Sequence, residues 1–218
     1  MTQIVLIRPG ATDYDAQGRI QGTLHIPLSD EGRRQVLASV EWLRGKSLIA
    51  LYSAACQSAR ETVELLGREL KVRAKPLDRL QNLNHGLWQG MLIDEVRRKQ
   101  PKVYKQWQEH PETVCPPEGE MLAAVTERVE SVLDKLLRKH RFGAIGLVAP
   151  EPLASVIRER LSGGEVGDLW KACACCGRLE VFNIQPRVRG SRMPHFDLGA
   201  VAETKDPEPA AIVAAKPK

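Results

Sequence analysis

Long apolar runs are missing from this 218-residue chain. None approaches the roughly 18 consecutive apolar residues that a spanning helix needs, and the amino terminus carries no charged-then-apolar leader. The expected setting is therefore the cytoplasm, with no membrane contact. Cysteine is scarce and odd in number, at five, which argues against a disulfide framework. Cys173, Cys175 and Cys176 stand close together, but a fourth ligand at metal-binding spacing is absent, so they read as thiols at the start of a strand and no metal is expected. Nor is charge of one sign concentrated. The net charge is +5, yet 27 acidic residues are interspersed with 32 basic ones, so nucleic acid is not an expected partner.

What is present suits one globular core. With 43% hydrophobic residues the chain can bury a single sizeable interior, read here as a domain over residues 1–198. From residue 199 to 218 the composition turns to Ala, Pro, Lys and Glu without aromatics, and this stretch reads as a disordered tail. Residues 3 to 7, Gln3-Ile4-Val5-Leu6-Ile7, form an apolar, β-branched run of the kind that lies in the centre of a sheet. The run ends at Arg8-Pro9-Gly10. A cation followed by a glycine turn at the carboxyl edge of a sheet points to an anion as the expected guest, phosphate above all.

Strands and helices then alternate. Ser29 or Asp30 can cap a helix carrying Val36, Val40 and Leu43 at helical spacing. Leu48 to Tyr52 reads as a strand, followed by a helix through about Leu70 and a short strand at Lys71 to Ala74. Helices are expected over 92–99, 101–109 and 120–140, a strand at Ala144 to Val148, a helix over Leu153 to Leu161, and a last strand at Leu179 to Ile184. The alternation predicts an α/β fold: three layers, with helices on both faces of a mostly parallel sheet. Trp88, Trp107 and Trp170 are expected in or at the edge of the core, and Cys56 is expected to be packed there.

Five blocks in order carry a resemblance: Leu6-Ile7-Arg8-Pro9-Gly10-Ala11-Thr12 with Gly18-Arg19-Ile20-Gln21-Gly22; Pro27-Leu28-Ser29-Asp30-Glu31-Gly32; Tyr52-Ser53 to Glu61-Thr62; Gly86-Leu87-Trp88-Gln89-Gly90; and Pro117-Glu118-Gly119-Glu120. Together they resemble the histidine phosphatase superfamily, the phosphoglycerate mutase-like proteins, over about residues 3 to 184. The resemblance implies that fold, and a pocket in which a histidine attacks phosphorus from an Arg-His-Gly block. Here Pro9 stands in the histidine's place and has no lone pair to offer. The family's second histidine falls on Pro150, with Glu151 following, its second arginine on Ser58, and its proton-donating acid on Asn82. Of those five positions only Arg8 survives.

The resemblance without its nucleophile implies a pseudoenzyme of binding or scaffolding use, with no cofactor and no catalytic residue. Two alternatives stay open: chemistry relocated to His85 or His25, or weak sensing of a phosphorylated small molecule through Arg8, Arg19 and Arg60. Arg8 can equally be read as a structural cation paired with Glu151 or Asp15. His110, His140 and His195 read as solvent-exposed. Basic residues over 97–105 and at Arg187, Arg189 and Arg192 are candidates for a patch, although charge on a helix face is usually just solvated. An unknown protein or phosphorylated small molecule is the expected partner, and a homodimer is left open.

Overall fold

The computed structural model describes residues 1–172, 176–184 and 201–206, with the side chains of residues 172, 201 and 202 left undescribed. Cys173, Cys175, Arg187, Arg189, Arg192 and His195 lie outside the described residues.

β1 (Thr2–Ile7) is the central strand. Ile4, Val5, Leu6 and Ile7 are all buried, and because successive side chains point to opposite faces, both faces of the sheet must be covered. The chain then makes a short helix α1 (Asp13–Gln17) and α2 (Asp30–Arg44). Thr12 caps α1 in a reciprocal box with Asp15, and the Ser29 hydroxyl accepts from the Gly32 amide to cap α2. Val36, Val40 and Leu43 form the buried face of α2, as their spacing predicts.

β2 (Leu48–Ser53), α3 (Gln57–Leu70) and β3 (Ala74–Pro76) follow. β3 starts three residues later than expected, because Lys71 takes a left-handed conformation (φ 55°) to close α3 and cannot begin a strand there. Next come α4 (Ile93–Lys99), α5 (Pro101–Glu109), α6 (Leu122–Lys139), β4 (Gly143–Val148), α7 (Leu153–Ser162), α8 (Leu169–Ala172) and β5 (Leu179–Ile184). α2 packs on α3 and α6 on α7. A further strand, β6 (Val201–Lys205), lies within the stretch read as tail and pairs with β5. Strand addition needs only backbone partners, so composition did not reveal it. Ion pairs from Lys46 to Glu203 and from Arg178 to Asp206 hold it at the edge. The sequence pattern predicts none of α1, α8 and β6.

The sheet order is β3-β2-β4-β1-β5-β6. β3, β2, β4 and β1 run parallel, while β5 is antiparallel to β1 and to β6. Register decides where chemistry can gather. Ile7 lies opposite Val148, and Ser53 also lies opposite Val148, so β1, β2 and β4 end at one edge; the antiparallel β5 begins there, with Leu179 opposite Ile7. The turn after β1 is held tightly against α2. A Cβ on Gly10 would sit 2.2 Å from the Gly32 carbonyl oxygen, so both backbones must be bare for this approach.

A candidate anion pocket at the carboxyl edge of the sheet

The residue after Ile7 is Arg8, buried with its side chain 5% exposed. Its Nε donates to Glu151 Oε1 at 2.6 Å and its Nη1 to Glu180 Oε2 at 2.5 Å, and these carboxylates are 7% and 4% exposed. Burial by itself opposes the guanidinium charge, but the two carboxylates outweigh it and raise the Arg8 pKa above its ordinary value. One cation faces two anions. The cluster therefore carries a formal charge of −1 if both carboxylates are ionised, the reverse of what a phosphate requires.

Of the two partners considered from sequence, Glu151 is confirmed and Asp15 is not. Asp15 instead accepts from the Thr12 amide and hydroxyl, each at 2.7 Å, and interacts with Gln21 and Cys176. Its burial pushes its carboxyl pKa up, with those hydrogen bonds working against the shift. No local pattern marks Glu180 as a partner; the available signal is that it is the one charged residue in the otherwise apolar run Leu179 to Phe182.

A cavity of about 40 Å³ opens over Arg8. It is lined by Pro9, Gly10, Asp15, Arg19, Gln21, Ser58, Pro150, Glu151 and Cys176 besides Arg8. The tertiary structure thus brings together Arg8, Pro9, Ser58 and Pro150, positions that the sequence alone could only align. Arg19 reaches the rim, where its Nη1 donates to the Gly90 carbonyl at 2.6 Å and its Nε to Gln17 at 2.7 Å.

Asn82 does not line this cavity; it ties the surrounding loops together. Its Nδ2 donates to the Gly22 and Glu151 carbonyls at 3.0 and 2.9 Å, and its Oδ1 accepts from the Leu153 amide at 3.3 Å. The side chain is a three-way brace. Gly22 itself needs a left-handed φ of 55°, and Gln89 packs so closely that any Cβ there would strike its side chain.

The other candidates lie apart. Arg60 is exposed and pairs with Asp78 at 3.4 Å, outside the Arg8 cavity. His85 is buried against Trp107, with ring centroids 5.6 Å apart, and burial lowers its pKa to about 4. It sits in an aromatic cluster with Trp88, Trp107, Trp170 and Tyr104, where the Tyr104 and Trp170 rings stack at 5.0 Å. His25 is exposed and borders a separate cleft of about 380 Å³ with Thr23, Ala55, Cys56, Gln81, Asn82, Asn84 and Glu120.

Cys56 is packed, and burial raises its thiol pKa, which disfavours a thiolate nucleophile. His110 is exposed as expected, but His140 is half-buried, its Nε2 2.8 Å from the Tyr52 hydroxyl. Arg97, Lys99 and Lys105 are each paired with an acid on their own helix, an ordinary solvated pattern. Among the described residues no cluster of His, Cys, Asp and Glu could hold a metal ion.

A sheet edge where several parallel strands stop together is where open α/β folds place their ligand pockets, and here one of those strands delivers the buried Arg8. A family model described as the histidine phosphatase superfamily (branch 1) matches residues 4–190, and the chain belongs to that family. Phosphoserine phosphatase 1 of Hydrogenobacter thermophilus is 30% identical over 140 residues, 64% of this chain and 66% of that protein. Glucosyl-3-phosphoglycerate phosphatase of Mycolicibacterium vanbaalenii is 28% identical over 210 residues, covering 93% of this chain and 91% of that one. Coverage differs among relatives: the chain spans only 45% of a bifunctional protein of Mycobacterium tuberculosis, at 28% identity. In fold, Bacillus stearothermophilus YhfR superposes with a TM-score of 0.77 at 21% identity, over 93% of this chain and 96% of that one.

Proposed function

We propose that this chain is a catalytically inactive member of its family, a pseudophosphatase that serves in binding or scaffolding. The observation that carries the reading is the Arg8 cluster: a proline stands at each histidine position, and the remaining arginine is engaged by two buried carboxylates. A nucleophile removed from a site whose groups act together costs on the order of a millionfold in rate. The further changes at Ser58 and Asn82 act through the same step. A cytoplasmic setting belongs to this proposal; among the described residues no helix is long and apolar enough to cross a membrane.

The test is hydrolysis of p-nitrophenyl phosphate from pH 4 to 9. A Pro9→His, Ser58→Arg, Asn82→Glu, Pro150→His and Glu151→Gly combination is run in parallel. The natural chain is expected to be silent and to form no acid-labile phosphoprotein. Turnover by the natural chain would overturn the reading, and its loss in His25→Ala or His85→Ala would then locate relocated chemistry.

A further inference from the structure

Arg8 has two carboxylate partners, and they are not equivalent. Glu180 comes from β5 and does not line the cavity among the described residues, whereas Glu151 does. The Glu151 carboxylate is also fixed from its other side: its Oε2 accepts from the Ser155 amide at 3.1 Å and the Ser155 hydroxyl at 2.7 Å, at the start of α7. Oε1 remains on Arg8. The result is a negative group held by a cation and by helix-terminal donors, the same kinds of partner that hold a bound oxyanion.

Around it, donors suited to an oxyanion persist. Arg19 and Gln21 line the cavity, beside the Asp15 carboxylate that the Thr12 amide and hydroxyl already engage, and so does Ser58 in the first turn of α3, a 14-residue helix with no side-chain cap and no acidic residue in that turn. With Glu151 in place, the cavity over Arg8 is small, at about 40 Å³.

We propose that Glu151 is the specificity-determining residue of this pocket, a resident anion supplied by the chain itself. It excludes phosphate and related tetrahedral oxyanions from a latent site formed by Arg8, Arg19, Gln21 and Ser58. The inference rests on the inactive-pocket reading and extends it. The pocket has lost its chemistry and has also had its ligand position filled from within. Like charges a few ångströms apart repel strongly in a partly buried site, so a phosphate cannot share Arg8 with this carboxylate. Neutralising Glu180 would change the charge by the same amount without vacating the cavity. Position can thereby be separated from net charge.

The experiment titrates inorganic phosphate and orthovanadate into the natural chain, Glu151→Gly, Glu151→Gln and Glu180→Gln by calorimetry. Circular dichroism checks folding, and p-nitrophenyl phosphate turnover is read on the same samples. The natural chain and Glu180→Gln are expected to show no saturable binding at millimolar phosphate. Glu151→Gly is expected to bind at least about a hundredfold more tightly than the natural chain, with Arg8→Leu added to that background abolishing the gain. Glu151→Gln, which keeps the side chain's bulk, serves if the glycine variant does not fold, and is expected to bind more weakly than it.

Saturable phosphate binding by the natural chain would overturn the inference, whatever the variants do. So would equal gains from Glu180→Gln and Glu151→Gly, or no gain in any folded Glu151 variant. Turnover by the natural chain sinks the pseudophosphatase reading instead, so the two failures are distinguishable.

Discussion

The Arg8 pocket and the aromatic cluster of Trp88, Trp107 and Trp170 are both served by the segment from Leu80 to Gly90, yet they are built on opposite principles. The pocket is a polar interior held by ion pairs and amide hydrogen bonds, with Asn82 bridging its loops. The cluster is an apolar interior of stacked and tilted rings, into which His85 is packed as a neutral side chain. Ring packing does not depend on the pocket's charge, so the two regions can be perturbed separately.

The difference can be broken most severely at Arg8. Replacing it in Arg8→Met leaves Glu151 and Glu180 buried without their cation, and the expected loss is about 3–5 kcal/mol of stability by urea unfolding at pH 7. A loss near zero would show that the ion cluster is dispensable.

The aromatic side of the comparison is sharpened by acid. The folded-state pKa of His85 is lowered to about 4 from the ordinary 6.5. The unfolded chain therefore binds the proton more readily between those values. Stability from this group is fully present above about pH 6.5 and is lost progressively as pH falls toward 4, by about 3 kcal/mol in all. Unfolding at pH 7 and pH 4 should reveal that share in the natural chain and its absence in His85→Phe. An unchanged pH dependence in the variant would refute the assignment.

The smallest effect is expected at the Asn82 brace among the pocket's loops. Asn82→Ala removes three hydrogen bonds to backbone groups, and about 1–3 kcal/mol should be lost for the partners left unsatisfied. The Gly22 and Glu151 loops should then show faster amide exchange than the aromatic cluster.

Local pattern made much of this molecule legible. The apolar run before Arg8 announced a central strand, Ser29 announced a helix start, and the spacing of Val36, Val40 and Leu43 announced its buried face. Elements with weak patterns escaped notice: α1 and α8 span 5 and 4 residues, and β6 adds by backbone pairing. The candidate site was legible as a set of residues but not as an arrangement. Arg60 and His85 were reasonable members of it by proximity in sequence, and both proved to lie elsewhere, one on the surface and one in the core.

By itself the sequence determined the order of the longer strands and helices, because hydrophobic period and capping are local. It also excluded a histidine nucleophile at Pro9 or Pro150, because that is a matter of atoms present. Only the tertiary structure decided what Arg8 does instead. Its partners lie 143 and 172 residues away, and they meet it because β4 ends beside β1 while the antiparallel β5 begins there. Strand order and register set such distances, and no local pattern encodes them.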